Sequence, residues 1–269
     1  MTILLYHDIS IDNASLHFSY LKKKYNIISL QDFVTAHKNN RVKELPKKSL
    51  VITLDDGHRG NYKLLPLIKE MCIPITIFLC SDIVGTNRHY WFSHKISGVS
   101  IEELKKTENK ERIDLLKKSG FEHDKEYEER MALSYNEVIE MSKYVDFQSH
   151  SLSHPCLPYC TKKESELEII NSKNQLEKLF KLKIKSFSYP NGDYSAREIE
   201  LLKKHGYTAG LTCDLWFNNQ KTDIYRLKRI DCRDEASIIE LEAKVTGIYH
   251  FLKRAIAGKS FGYLKTKSR

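Results

Sequence analysis

Short β-rich runs alternate with helical patterns along most of the chain, and this alternation commits it to βα units and a parallel sheet. Ile3–Tyr6 reads as a first strand and Leu16–Tyr25 as a helix. Leu50–Leu54 is a second strand, ended by Asp55-Asp56-Gly57, and Tyr62–Met71 is a helix with Pro66 near its first turn. Pro74–Cys80 is a third strand. Ser134 with Glu137 and Thr161 with Glu164 have capping-box spacing, which opens helices to Lys143 and to about Phe180, with Val145–Gln148 between them as a strand. Ile184–Tyr189, Tyr207–Thr212 and Tyr225–Ile230 complete the strands. Ser195 with Glu198 caps a helix that Gly206 ends, and Ser237–Ala257 is the final helix. About seven parallel strands result, fewer than the eight of a regular (β/α) barrel. The expected fold is therefore an α/β, irregular (β/α) barrel, with an open doubly wound sheet as its competitor.

The regular pattern breaks between about residues 85 and 133, a highly charged stretch with a Trp91-Phe92 pair. It reads as an insertion between barrel units and a candidate lid. At 269 residues one large domain suffices, so residues 1–269 are taken as a single domain with that insertion and a basic C-terminal helix and tail near 237–269.

The 44 Lys and Arg against 35 Asp and Glu give a net charge of +9, which suits an anionic partner such as nucleic acid, phospholipid or a phosphorylated sugar carrier. The excess is spread thinly apart from Lys22-Lys23-Lys24 and the tail, and no basic-aromatic motif accompanies it, so nucleic-acid binding is set aside. No apolar run approaches the ~18–20 residues that span a bilayer. The start of the chain lacks the pattern of a secretory signal, and a cytoplasmic protein is expected. The six cysteines are then expected as free thiols. Cys156 and Cys160 lie close to two histidines, but the second pair of a Cys-rich zinc site is missing.

The chemistry-bearing segments all fall at predicted strand ends, the rim where parallel barrels assemble active sites. In Thr53-Leu54-Asp55-Asp56-Gly57 two adjacent carboxylates would point to opposite faces inside a strand; beside a glycine that turns the chain, both can face one site. An ordinary Asp-Gly turn is the plainer reading. In His150-Ser151-Leu152-Ser153-His154-Pro155 the histidines stand at i and i+4, a spacing that shares one face of a helical turn and can ligate one ion. Two His and one Asp leave positions open for water and substrate. His7 ends the first strand and lies on the same rim, as a substrate contact, a proton donor or a structural histidine.

These segments, in this order and context, resemble the first two motifs of the NodB-like polysaccharide deacetylases, and the similarity extends from Leu4-Leu5-Tyr6-His7 to Tyr189-Pro190-Asn191-Gly192. The resemblance implies a NodB-homology fold and a metal-dependent hydrolase that removes acetyl groups from N-acetylated sugars, with a divalent metal, zinc by preference. It implies that Asp56, His150 and His154 hold the metal and that Asp55 is the general base. Phe187–Gly192 is similar to the third motif, commonly Arg-x-Pro-Tyr-Gly, but Ser188 stands at the arginine and Asn191 at the tyrosine. The Asn191 N–H is then the oxyanion donor, and Arg229 on a later strand is the replacement for the arginine. The late Leu-x-His that supplies the acid has no counterpart in Leu227-Lys228-Arg229, so the general acid is unassigned, with His7 a candidate for it.

A basic amphipathic stretch over Leu241–Lys253 packs on the barrel or touches an anionic membrane. The partner is accordingly an N-acetylated carbohydrate, lipid-linked or nucleotide-linked, met in the cytoplasm or at the inner face of the membrane. A deformylase-like amide hydrolase and a non-catalytic carbohydrate-binding relative are the rival readings.

Overall fold

The computed structural model describes residues 1–249. The strands are β1 (Thr2–Tyr6), β2 (Asn26–Ile27), β3 (Ser49–Leu54), β4 (Ile75–Leu79), β5 (Val145–Ser149), β6 (Ser186–Ser188), β7 (Ala209–Leu211) and β8 (Ile230–Asp231). The helices are α1 (Ile11–Lys24), α2 (Leu30–Lys38), α3 (Leu65–Met71), α4 (Ile101–Lys106), α5 (Asn109–Lys118), α6 (Tyr135–Met141), α7 (Lys162–Phe180), α8 (Ala196–Lys204) and α9 (Ile238–Thr246). Every strand pairing is parallel, in the order β7-β6-β5-β4-β3-β1-β8, with β2 on β3 beside this path. These seven strands in line form the curled sheet of an irregular (β/α) barrel.

β1, β3 and β4 are buried along their whole length. That is why they read as continuous apolar runs rather than as alternating ones: both faces of a parallel sheet are covered. One face carries Leu4, Tyr6, Ile52, Leu54, Ile77, Leu79, Phe147 and Phe187 into the large core under the helices. The other carries Ile3, Val51, Phe78, Ala209 and Leu211 into a smaller inner cluster, closed by Leu30, Phe33 and Val34 of α2. The period of two places Asp55 on the same side as Val51 and Thr53, the inner one. The register pairs Tyr6 with Leu54 and Leu79 with Ser149, so the residues that follow, His7, Asp55 and His150, come to one rim.

Residues 224–232 change partners. Leu227 bridges Leu211 of β7, and three residues later β8 pairs with β1, so this segment spans the two edges of the sheet. The strand expected over Tyr225–Ile230 is reduced to Ile230–Asp231 for that reason: no run of it stays on one neighbour. The Tyr62–Met71 helix is a 3₁₀ turn over Arg59–Leu64 followed by α3. The helix expected from Leu16 begins at Ile11, where Ser10 caps the Asn13 N–H. α2 and β2 were not expected; α2 has its own capping box at Ser29 and Asp32. The helix expected over Ser237–Ala257 is broken after Thr246 by Gly247, left-handed at φ 85°, and Ile248 and Tyr249 are helical again; the expectation from 250 on, and the tail, lie outside the described residues. Between 85 and 133, α4 and α5 enclose a small core of Trp91, Leu104, Leu116 and Phe121 against Cys156. Among the described residues no helix is long and apolar enough to cross a membrane.

Gly57 sits where the turn out of β3 passes β4. Its φ is +77°, and a Cβ there would meet Leu79 Cδ2 at 2.5 Å. Gly57→Ala should therefore lower stability by more than ~1 kcal/mol, read as a fall in the urea midpoint with the slope unchanged.

Candidate active site

Asp55 extends the β3 ladder by one residue, its N–H donating to the Tyr6 carbonyl at 3.0 Å. Its carboxylate lies inside the barrel and is buried. Arg229 Nη1 donates to Oδ1 and Nη2 to Oδ2, both at 2.7 Å. Ser188 Oγ also donates to Oδ2, at 3.0 Å, and accepts from Arg229 Nη2 at 2.8 Å. The guanidinium is fully buried, donates again to the Thr212 carbonyl at 2.9 Å, and lies over the Phe78 ring. Burial alone would raise the Asp55 pKa, but Arg229 chiefly, with His150 and His7, outweighs it and holds the carboxyl below its ordinary range. The same pair holds Arg229 above its own, against the effect of burial.

Asp56 reaches the site by a different route. It takes φ 72°, and Gly57 follows at 77°. The left-handed turn begins at the aspartate itself, one residue before the glycine to which it was assigned, and so the two adjacent carboxylates converge. Asp56 Oδ1 stands 3.4 Å from His150 Nε2 and 3.5 Å from His154 Nε2. Neither contact has hydrogen-bond geometry, and Oδ1 is a buried oxygen without a hydrogen-bond partner. Oδ2 lies 3.1 Å from His58 Nε2. Burial opposes ionisation of Asp56, but the three imidazoles overcome it and depress its pKa strongly.

His150 follows β5, its N–H bonded to the Leu79 carbonyl at 2.8 Å. Its Nδ1 donates to the Ser188 carbonyl at 2.8 Å, which turns Nε2 toward Asp56. His154 does not come by a helical turn, as the i, i+4 spacing suggested. Ser151 and His154 both have positive φ, 68° and 59°, and the chain between them is a loop. Among the described residues, four of the eight non-glycine residues with positive φ (Asp56, Ser151, His154 and Asn191) lie in the motif segments of this rim, and such strain persists where surrounding contacts over-determine it. The stretch between β4 and β5 supplies some of them: Trp91 Nε1 donates to the His154 carbonyl at 2.7 Å, and the Phe92 ring lies edge-on to the His154 imidazole. Burial opposes charge on both imidazoles. It drives His154 down to about 3, whereas at His150 the Asp55 and Asp56 carboxylates overcome it and raise the pKa.

His7 lies on the rim, tied by its backbone: its carbonyl accepts from Asn61 Nδ2 at 2.8 Å and its N–H donates to Asp234 at 3.3 Å. Asn191 turns left-handed at φ 56° and directs its side-chain amide to Cys156 Sγ, 3.4 Å away. Sequence reasoning missed His58, although it follows directly on Asp-Asp-Gly, and it missed the hydroxyl role of Ser188. It also missed Tyr90, whose hydroxyl donates to the Asp56 carbonyl at 3.0 Å.

The donor set fits a divalent cation. One carboxylate and two imidazole ligand atoms lie within 4.8 Å of one another, all buried. Ligands bonded at 2.0–2.1 Å around a tetrahedral zinc stand about 3.3 Å apart, close to the Asp56–imidazole spacings, and the unpartnered Oδ1 is the atom such an ion would satisfy.

A family model described as polysaccharide deacetylase matches residues 42–210, well over half of the sequence. The chain belongs to the polysaccharide deacetylase family. A relative in Bacillus subtilis, YxkH, which is named as a polysaccharide deacetylase, is 21% identical over 249 residues, 86% of this chain and 70% of its own. Among solved structures, the Streptococcus pyogenes deacetylase PplD in complex with acetate superposes with a TM-score of 0.68 at 18% identity, covering 91% of this chain and 97% of its own. A de-N-acetylase from Aggregatibacter actinomycetemcomitans gives 0.62 at 16% identity, over 90% and 98% of the two chains. At these identities the likeness is one of fold.

Removing one partner of a buried ion pair strands the other charge. Arg229→Met should cost roughly 3–5 kcal/mol at about pH 7. The folded Asp55 pKa lies below the ordinary 3.8, so the pair stabilises the fold above that value and its contribution is lost as the pH falls through the folded one. Urea midpoints of wild type and variant should accordingly converge toward acid.

Proposed function

We propose that the chain hydrolyses the acetamide of an N-acetylated carbohydrate with a divalent cation held by Asp56, His150 and His154, zinc being the first ion to test. The observation that carries this reading is the buried, unpartnered Asp56 Oδ1 facing two imidazole nitrogens, with a second carboxylate beside it. Family membership and the names of the deacetylase neighbours support the acetamide as the bond that is cut.

A bound divalent cation supplies Lewis acidity, for the acyl oxygen and for the attacking water. Asp55 is the general base. Oδ2 accepts from both Arg229 and Ser188, whereas Oδ1 accepts from Arg229 Nη1, so the open lone pair for a water proton is on Oδ1. Arg229 keeps Asp55 ionised and fixes its plane, the task that an arginine at position 188 would have had. His58 occupies the second oxygen of Asp56 and leaves the first to the cation. The Asn191 N–H donates to the oxyanion and His7 protonates the leaving amine.

The non-catalytic alternative rests on two departures from the family pattern, the missing motif arginine and the missing late histidine. The bidentate Arg229–Asp55 pair answers the first of them. The net charge of +9 favours an anionic carrier for the sugar, lipid-linked or nucleotide-linked, over a neutral polymer.

Asp55→Asn should keep zinc affinity and lose at least ~10²-fold in kcat on a panel of N-acetylated and N-formylated sugars. A variant with undiminished turnover would remove Asp55 from the mechanism, and exclusive activity on formamides would point to a deformylase.

A further inference from the structure

The loop from His150 to His154 belongs to no regular element, and two of its residues are left-handed. The N–H groups of Leu152 and Ser153 therefore find no partner in a helix or strand. Both donate to one atom, Glu168 Oε2, at 3.0 and 2.9 Å. The Ser153 hydroxyl donates to the other oxygen, Oε1, at 2.6 Å. Glu168 is anchored on α7, a 19-residue helix closed by its own capping box at Thr161, so the acceptor stands on a rigid support. The residue is partly exposed as a whole, but its carboxylate is turned to the loop, and burial raises its pKa despite these bonds. On the opposite side the loop is held by its carbonyls: Ser151 accepts from the Ser81 N–H at 3.2 Å and Leu152 from the Asp82 N–H at 2.9 Å.

We propose that Glu168 is a positioning residue for the cation centre: by accepting two successive backbone N–H groups and a hydroxyl midway between His150 and His154, it sets the separation at which the two imidazoles face Asp56. This rests on the reading of Asp56, His150 and His154 as ligands. The bonds matter here, and the charge does not. A glutamine in place of Glu168 can accept both N–H groups on its carbonyl oxygen while its amide donates to Ser153 Oγ, because a hydroxyl also accepts. An aspartate keeps the charge but is one methylene too short. Alanine leaves two N–H groups unpaired and imposes no helix penalty at this position.

The test is zinc affinity of the full chain, measured by competition with a chromophoric chelator on metal-stripped protein whose thermal transition shows it folded. Glu168→Ala and Glu168→Asp should each lose about 10–100-fold, and Glu168→Gln should stay within about threefold of wild type. Wild-type affinity in Glu168→Ala would overturn the positioning role and leave the ligand assignment standing. So would a loss in Glu168→Gln while Glu168→Asp keeps wild-type affinity, since charge would then be the cause. If Glu168→Ala fails to fold, the comparison of the Gln and Asp variants decides alone. Wild-type protein that binds zinc no better than His150→Ala would overturn the ligand assignment, and this proposal with it.

Discussion

Inside the barrel, against the Phe78 ring, the Arg229 guanidinium meets both oxygens of Asp55 at 2.7 Å, and most of the site is arranged around that pair. A carboxylate this deep is tolerated only with a matched cation, and a guanidinium this deep only with a matched anion. Ser188 joins the two through its hydroxyl, and its carbonyl also takes the Nδ1 proton of His150. One residue of β6 thus links the orientation of Asp55 to that of an imidazole. Asp56, next in sequence, is left with an oxygen that no protein donor satisfies. The asymmetry between two neighbouring aspartates, one with both oxygens bonded to donors and one with an oxygen that has none, is the electrostatic pattern on which the proposed chemistry relies.

Geometry that a regular element would supply has to come from elsewhere, because Asp56, Ser151 and His154 are all left-handed. Each such residue costs of order 1–3 kcal/mol and persists only under tight surroundings. Those surroundings are the Tyr90 hydroxyl on the Asp56 carbonyl, Trp91 on the His154 carbonyl, and Glu168 on the N–H groups between the two histidines. Two of these three, Tyr90 and Trp91, come from the charged stretch between β4 and β5, which accordingly braces the site from outside the strands.

The fold was legible where pattern and burial agree. β1, β3 and β4 were read almost to the residue, because fully buried parallel strands make near-continuous apolar runs; β5 was read as closely although only Val145 and Phe147 of it are apolar, and the capped helices α6, α7 and α8 were found from their boxes. The segment after Leu211 was misread, since its residues divide their bonds between two neighbours and show strand composition without strand length. In the site, residues with a recognisable spacing were brought together: Asp55, Asp56, His150 and His154. Arg229 was found by its place at a strand end. His58, Tyr90 and Glu168 were not, because each acts through one hydrogen bond or a few to a backbone or carboxylate set by tertiary packing. The spacing of the two histidines was a sound pointer to convergence and a false one to a helical turn.

The segment that bridges the two sheet edges carries one further consequence. Arg229 sits between Leu227, which faces β7, and Ile230, which faces β1. It is thus supplied by the last stretch of chain to join the sheet, more than 170 positions after the aspartate it neutralises. During vectorial synthesis β3 and β4 emerge early, with an acid on the inner wall and no counter-charge yet made. Closing the seam and completing the ion pair then go together, which ties the neutralisation of Asp55 to the arrival of the segment that carries Arg229.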